Sequence, residues 1–397
     1  MAIDKLKHLW RVVDGYWFGS GSPTTIGLLR ITTGFLALMN QLMVGADWDA
    51  WFSPNGYSPL WLNRLYLGNS PVPRLNLLQG IDDPRITMPF YWLVTLAALL
   101  TMVGLWSRVS SIALAVGVVT LHHQNATILH GGDTVLRVMA IYVALSPGHL
   151  ACSLDRVLGL MSGKIKPGPV LVSLWSQRLV SFNVALLYFT TTWLKWFGTL
   201  WKDGTATWYP ARLKEFERFW VPGFVNDLPF VKVTTYGTLL TEFLLGTLVF
   251  YRPARKYVLA MGVVMHSFIE YSMNIPMFSY LMIASYLSFF DGEEVQAWAK
   301  RTGARLAKWR TVVRYPQGAR PTVAGTAALD AVDPLDLVAY EEGATDRFEK
   351  TAAGAARSFG AWPFVMVPGV WKGFLSRAFE RSEVPVSPND PKQVASK

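Results

Sequence analysis

Long apolar segments recur between residues 25 and 291 and dominate the pattern of this chain. A helix needs about 20 mainly apolar residues to cross the hydrocarbon core of a bilayer. Because that core offers no water to backbone N–H and C=O groups, a spanning segment must satisfy them internally, as an α-helix does. Charged residues make up only 16% of the 397 residues, compared with about 25% in a typical soluble protein. The pattern predicts an all-α fold, a polytopic helical membrane protein with about eight transmembrane helices.

The predicted transmembrane domain covers residues 25–291 and contains the candidate spans. They are residues 25–45, 88–106, 109–126, 133–150, 173–198, 233–251, 257–273 and 275–291. Lys and Arg are concentrated in the loops on one side of these spans, whereas the opposite turns at residues 127–132 and Asn274 contain neither. Since cytoplasmic loops are rich in Lys and Arg, both termini are predicted to be cytoplasmic. We expect a multi-pass protein of the bacterial inner (plasma) membrane.

The two ends of the chain differ from its apolar middle. Residues 1–24 interleave basic residues with apolar ones such as Leu9 and Trp10, which predicts a helix lying in the membrane interface; an ordinary solvated terminus is the alternative. Residues 292–397 are polar and end in a proline-rich stretch. We expect a short cytoplasmic tail that is partly helical, partly disordered and poor in strands. Its apolar island around residues 360–379 is predicted to be an amphipathic segment on the membrane surface.

Charge and cysteine content exclude several functions. The formal net charge is +10, but the basic residues lie mainly in short loops and in the tail, and no zinc-finger spacing or RNA-binding aromatic motif accompanies them. We therefore expect no nucleic-acid partner. Cys152 is the one cysteine of the sequence, which excludes an internal disulfide, a cysteine metal site and a dithiol redox pair. The histidine spacings typical of zinc sites are absent from the sequence, so no metal is predicted.

Polar side chains inside the apolar segments concentrate at the predicted outer end of the bundle. Lys195 lies near the outer end of the fifth span. His266 and Glu270 share one face of the seventh span because they are four residues apart. The end of the third span and the start of the fourth supply the others: His122, His123, Gln124, Asn125, His130, Asp133 and Arg137. The sequence predicts that these groups converge at one end.

Several of these residues also have a structural interpretation. Asp133 and Arg137 are spaced to form an ion pair on one helix face, and the pair His122–His123 is placed to cap a helix end. Lys195 can extend towards the outer headgroups among neighbouring tryptophans.

Two further buried charges, Glu242 and Arg30, are predicted to pair across helices and stabilise the bundle. Lys195 also has a chemical interpretation, because desolvation favours the neutral amine and a neutral amine is a competent general base. Such a base would suit the deprotonation of a lipid-soluble hydroxy compound, such as a quinol, at the outer membrane edge.

Three segments resemble those of a known family. The stretch YFTTTWLKWFGTLWKDGTATWY (188–209) resembles the segment of vitamin K-dependent γ-carboxylases that holds their proposed catalytic lysine. HGGDTVLRVMAIYVALSPGHLACSLDR (130–156) and MHSFIEYSMNIPMFSYLMIASYLSFFDGEE (265–294) are similar to motifs of the wider horizontally transferred transmembrane domain (HTTM) group. The resemblance covers about residues 20–294 and implies a helical membrane fold that binds a reduced quinone. The carboxylases also carry a β-rich propeptide-binding domain that has no counterpart here, so the peptide-glutamate substrate is not expected to carry over.

The resemblance and the polar cluster together give a candidate site. The predicted catalytic residues are Lys195 as general base, with His266 and His130. The predicted substrate-binding residues are Asp133, Glu270, Trp196, His123, Asn125 and Arg137. The expected cofactor is a reduced quinone resembling vitamin K, and the expected partners are the lipid bilayer and a lipophilic small molecule.

Two functions from different classes follow. The first is a membrane enzyme that acts on a quinol-like substrate at the outer face, with a lysine base. The alternative is a non-catalytic membrane module that binds lipid or a partner protein, in which the polar cluster holds the helices together. A transporter ranks behind both, because such proteins place polar groups on both sides of the midplane.

Overall fold

The architecture is that of a helical bundle in a computed structural model, which describes residues 2–59, 61–62, 65 and 74–306, together with Leu335 and the four tail strands given below. The helices are α1 (Ala2–Phe18), α2 (Thr24–Ala46), α3 (Trp48–Trp51), α4 (Pro84–Val103), α5 (Ser107–Gln124), α6 (Gly131–Leu145), α7 (Leu154–Met161), α8 (Trp175–Trp196), α9 (Thr199–Lys202), α10 (Leu228–Thr247), α11 (Arg252–Ser272), α12 (Phe278–Ser285) and α13 (Gly292–Arg305). Short 3-10 turns, Leu248–Phe250 and Tyr286–Phe289, extend α10 and α12.

Each of the eight predicted spans overlaps a helix. Within the described residues, three helices are long and apolar enough to cross a membrane, namely Thr24–Ala46, Pro84–Val103 and Leu228–Phe250. Phe278–Phe289 is apolar but shorter. The helical fold and its membrane character are therefore confirmed, and the eight-span topology stays a prediction.

Helix ends follow local chemistry. Asp83 caps α4 by accepting a hydrogen bond from the Arg85 backbone N–H at 2.9 Å, which explains why this helix begins before the predicted residue 88. α4 ends at Gly104, whose φ of 73° suits a residue without a Cβ. The predicted span 133–150 ends early, at Leu145, because Pro147 favours extended backbone at the residue before it.

The transmembrane part packs as neighbouring pairs of helices around one apolar core. α2 packs on α4, α4 on α5 and α5 on α6, while α8 packs on α10 and α10 on α11. Two short strands, β1 (Ser20–Gly21) before α2 and β2 (Val172–Ser173) before α8, pair in antiparallel fashion. These pairings bring the helices that carry the predicted site residues next to one another.

Arg30 is buried at 1% exposure and binds carbonyl groups across the bundle. Its guanidinium donates hydrogen bonds to the carbonyls of Gly148 at 3.1 Å, Met102 at 2.8 Å and Cys152 at 2.6 Å, and also to Thr101. This confirms the expected stabilising role for Arg30, although its partners are backbone carbonyls and not a carboxylate.

The ends of the chain are partly described. α1 is a helix as predicted, and Leu9, Trp10 and Phe18 are exposed on it; its position in a membrane interface stays a prediction. The first compact unit is Met1–Asp155 with Val170–Val295, and the described tail strands belong to the second.

The described part of the tail contains more strand than the sequence pattern predicted. β3 (Thr311–Tyr315) pairs in parallel with β5 (Val338–Glu342), and β4 (Ala319–Pro321) pairs antiparallel with β6 (Phe379–Arg381). β-Branched and aromatic residues such as Val312, Val313 and Tyr315 favour this conformation. The predicted amphipathic segment 360–379 lies outside the described residues, apart from Phe379.

Candidate functional site

Lys195 and Glu242 form an ion pair between α8 and α10. The side chain of Lys195 is 26% exposed and that of Glu242 only 9%. The Thr191 hydroxyl lies one helical turn from Lys195 and donates to the second oxygen of Glu242 at 3.4 Å. The Lys195 ammonium also lies 5.0 Å from the ring centroid of Trp201, a cation–π contact. Lys195 is therefore held by a carboxylate and a ring.

The position of the pair in the two helices explains its stability. Lys195 lies in the last turn of α8, where the helix dipole favours a positive charge. Glu242 lies in the interior of α10 and is buried, so without a cation nearby its charge would be costly. This contact confirms the expectation that Glu242 pairs across helices.

An apolar cleft of about 530 Å³ also lies between α8 and α10, and neither Lys195 nor Glu242 is among its lining residues. Its walls are mainly aromatic and aliphatic side chains: Phe189, Thr192, Trp193, Trp196, Tyr236, Leu239, Leu240 and Phe243. Trp196, a predicted substrate-binding residue, lies in this wall. Lys195 lies on a different face of α8. It directly precedes Trp196 and follows Thr192 by about one helical turn.

His266 belongs to a buried network next to this region. Its Nε2 lies 2.7 Å from the Tyr188 hydroxyl, which lies 2.7 Å from the hydroxyl of Tyr286. His266 is 2% exposed, and its Nδ1 has no hydrogen-bond partner among the described residues. Neither tyrosine was singled out from the sequence, because a tyrosine inside an apolar run looks like an ordinary core residue.

Glu270 does not join His266, although the two share α11. Arg218, from the loop before α10, pairs with the Glu270 carboxylate and donates to its backbone carbonyl at 3.2 Å. The structure therefore does not bring His266 and Glu270 together as predicted. The reason is that the connection 199–227 supplies Arg218 as the partner of Glu270, which the spacing of the two residues along the helix could not reveal.

His130 and Asp133 cap the start of α6. The Nδ1 atom of His130 accepts a hydrogen bond from the Gly132 backbone N–H at 2.9 Å, while Asp133 accepts one from the His130 backbone N–H at 2.9 Å. His122 Nε2 lies 3.7 Å from the Asp133 carboxylate. Because its Nδ1 accepts, His130 is assigned as the neutral tautomer with its proton on Nε2.

Arg137 turns away from Asp133 and contacts His123 instead. The Arg137 guanidinium lies 3.1 Å from His123 Nε2 and donates to the Thr134 hydroxyl at 3.0 Å. His123 Nδ1 lies 2.8 Å from the Leu75 carbonyl, so Nδ1 carries the proton and Nε2 accepts from Arg137. The expected ion pair between Asp133 and Arg137 is therefore wrong: Asp133 already serves the helix cap.

Asn125 is used by the connection between α5 and α6. Its side-chain N–H₂ donates to the Trp51 carbonyl at 2.6 Å, and its oxygen accepts from Ser58 at 3.3 Å and from Thr127 at 2.6 Å. It also lines a second cavity of about 170 Å³ together with His130 and Asp133. We call this cavity the polar pocket.

The predicted site residues are thus divided between two places. Trp196 lines the α8–α10 cleft and Lys195 precedes it in α8, while His130, Asp133 and Asn125 line the polar pocket. His266, Glu270, His123 and Arg137 each have other partners, described above. In the part of the chain that the structure describes, no group of three or more His, Cys, Asp or Glu side chains is placed to hold a metal ion.

These features define a helical membrane domain in which one pair of helices carries both an ion pair and an apolar cleft. Residues 22–293 match the sequence model of the HTTM domain. The chain therefore belongs to the HTTM domain family, a membrane module related to γ-carboxylases. No curated protein and no solved structure matches the chain significantly.

Proposed function

We propose that this protein is a membrane-embedded enzyme that deprotonates a quinol-like hydroxyl compound at the outer face of a bacterial inner membrane. The observation that supports this most is the Lys195–Glu242 pair, which joins the same two helices that form the apolar cleft. The cleft volume of about 530 Å³ is within the range of about 300–1,000 Å³ that holds small lipophilic ligands. Its aromatic walls suit a flat ring and an apolar tail.

The base in this proposal is Lys195 acting together with Glu242. In this scheme the ammonium proton of Lys195 passes to the Glu242 carboxylate, which leaves a neutral amine beside a carboxylic acid. The amine then accepts the proton of the substrate hydroxyl, and the anion formed faces the new ammonium.

His266 has a supporting role in this scheme, and His130 has none. Tyr188, which hydrogen-bonds His266, lies on α8 one turn before Thr191, the residue that touches Glu242. This arrangement supports a relay for the proton behind the pair. His130 and Asp133 line the other cavity, so the proposal gives them no part in the proton transfer.

The test uses full-length protein in detergent and a short-chain reduced naphthoquinone as probe. We expect binding by quenching of tryptophan fluorescence, since Trp193 and Trp196 line the cleft, and catalysed oxygen uptake. Lys195→Met should lower the rate at least about 100-fold, the usual minimum for loss of a general base. Lys202→Met, on exposed α9, is the matched control and should keep the rate. Wild-type protein that neither binds nor oxidises the probe would disprove the proposal.

A non-catalytic lipid-binding module is the second candidate. It is favoured by the exposure of the cleft walls, where Trp193 is 59% and Leu240 54% exposed. In that case Lys195→Met should lower stability but leave the affinity of the folded protein for the probe and the cellular function unchanged, because no step would need a base. The two candidates therefore differ in the outcome of one substitution.

A further inference from the structure

The polar pocket lies where α2 and α5 end and α6 begins, and its lining shares no residue with the α8–α10 cleft. Its volume of about 170 Å³ is well below the usual 300–1,000 Å³ of a pocket for a drug-sized ligand. It therefore suits a group of only a few non-hydrogen atoms.

Three buried polar atoms of the pocket residues lack partners. Asn40 Oδ1, Gln41 Oε1 and His122 Nδ1 have no hydrogen bond to any residue that the structure describes. All three side chains line the pocket, and their residues are 7%, 1% and 6% exposed. Buried polar atoms are normally hydrogen-bonded, so this set indicates a missing polar group. The two amide oxygens can only accept, which means that the missing group must donate.

The charge of the lining has one sign. Asp47 and Asp133 both line the pocket, and none of the described lining residues is a Lys or an Arg. α2 and α5 also end here, and helix C-termini favour cations. The opposing N-terminus of α6 is already capped by His130. Trp51 and Phe52 add aromatic faces that attract cations.

We infer that the polar pocket binds the primary ammonium group of a small amine, through the lining residues Asn40, Gln41, Asp47, His122 and Asp133. An ammonium has three N–H donors for these acceptors. An anion would be repelled by the two carboxylates and would find acceptor oxygens where it needs donors. A divalent metal lacks a sufficient set of ligands among the described residues. The source of the ammonium is either a free amine or an aminophospholipid headgroup, which present the same chemistry.

The test measures thermal unfolding of the full-length protein in detergent against increasing methylammonium chloride. A ligand that binds only the folded state raises the Tm in a saturable way. We expect this rise with methylammonium and a smaller, non-saturable one with equal concentrations of sodium chloride. Tetramethylammonium, which has no N–H donor, should compete poorly.

Variants locate the effect. Asn40→Leu and Asp47→Asn should each weaken the apparent affinity on the order of tenfold, the value of one hydrogen bond to a charged group. Asp49→Asn is the matched control, because Asp49 is exposed like Asp47 but does not line the pocket. Gln41→Met keeps the side-chain volume and takes the place of Asn40→Leu as the test variant if Asn40→Leu does not fold.

Competition with added lipids distinguishes a free amine from an aminophospholipid headgroup. Phosphatidylethanolamine added to the micelles should displace methylammonium if the natural ligand is a headgroup, and phosphatidylglycerol should not. If phosphatidylethanolamine has no effect while methylammonium binds, the ligand is a free amine. A shift with methylammonium no larger than that with sodium chloride would show that the pocket holds water only and would overturn the inference. The inference would also be overturned if the affinity for methylammonium were unchanged in Asp47→Asn, Asn40→Leu and Gln41→Met.

Discussion

The α8–α10 cleft and the polar pocket belong to the same helical domain but satisfy their polar groups in opposite ways. Lys195 and Glu242 neutralise each other across the two helices that form the cleft. In the polar pocket, the side-chain oxygens of Asn40 and Gln41 have no partner among the described residues, and both side chains line a small space.

The difference predicts how each region responds to substitution. The fold with an intact ion pair is more stable than a variant that lacks one partner, since removal of one partner leaves an uncompensated buried charge. An unpartnered acceptor costs stability in the absence of ligand, so its removal relieves a cost. Loss of stability should therefore accompany changes at the cleft, and loss of binding without loss of stability should accompany changes in the pocket.

The largest effect is expected for Lys195→Met. It leaves the Glu242 carboxylate buried without its cation, and the free energy of unfolding should fall by about 3 kcal/mol. The measurement is chemical denaturation in mixed detergent micelles. The double variant Lys195→Met/Glu242→Leu removes both charges and should recover most of that loss. Equal losses in the single and double variants would contradict the ion pair as a stabilising contact.

Tyr188→Phe should give the next largest loss. The hydroxyl of Tyr188 lies 2.7 Å from both His266 Nε2 and the Tyr286 hydroxyl. Removal leaves two buried polar groups without this partner, at a cost of about 2 kcal/mol in the free energy of unfolding. Tyr236→Phe is the control: its exposed hydroxyl makes a single bond to the Lys202 carbonyl, so denaturation should show a much smaller change.

Gly246→Ala tests the packing that forms the cleft. A Cβ at Gly246 would lie 2.8 Å from the backbone nitrogen of Phe189, so α8 and α10 must move apart. Overpacking of this kind costs about 1–3 kcal/mol, partly offset by the better helix propensity of alanine, and we expect a net loss of about 1 kcal/mol by denaturation. At Gly237, on the same helix, a Cβ meets nothing within 4 Å. Gly237→Ala should therefore be neutral or stabilising.

The sequence predicted the helices well and the partners of the site residues poorly. Helix positions follow from the length of apolar runs, which is a local property, and the main error at residues 146–150 came from Pro147. Partner choice depends on which helices and loops meet. Glu242 lies 47 residues from Lys195, and Glu270 is taken by Arg218, from a loop that has no regular pattern.

The unpartnered acceptors were beyond sequence reasoning for a related reason. Asn40 and Gln41 look like any polar residues near the end of a span. What distinguishes them is that their unpartnered oxygens belong to residues that line the polar pocket, and that depends on every neighbouring element. Gln177 in α8, the same residue type, donates from its side-chain nitrogen to two backbone carbonyls, although its Oε1 also has no partner among the described residues.

The smallest expected effect on stability is that of Gln41→Met, and it separates the two regions most clearly. Gln41 and Gln177 are each 1% exposed. The side-chain amide of Gln177 donates to the carbonyls of Ser288 at 3.1 Å and Phe290 at 2.9 Å, so Gln177→Met should lower the free energy of unfolding by about 1–2 kcal/mol. Gln41→Met removes an acceptor without a described partner, keeps the volume, and should change the free energy by about 0.5 kcal/mol or less, in either direction. A loss at Gln41 as large as that at Gln177 would mean that its amide is already engaged, and the polar pocket would then need no donor from outside.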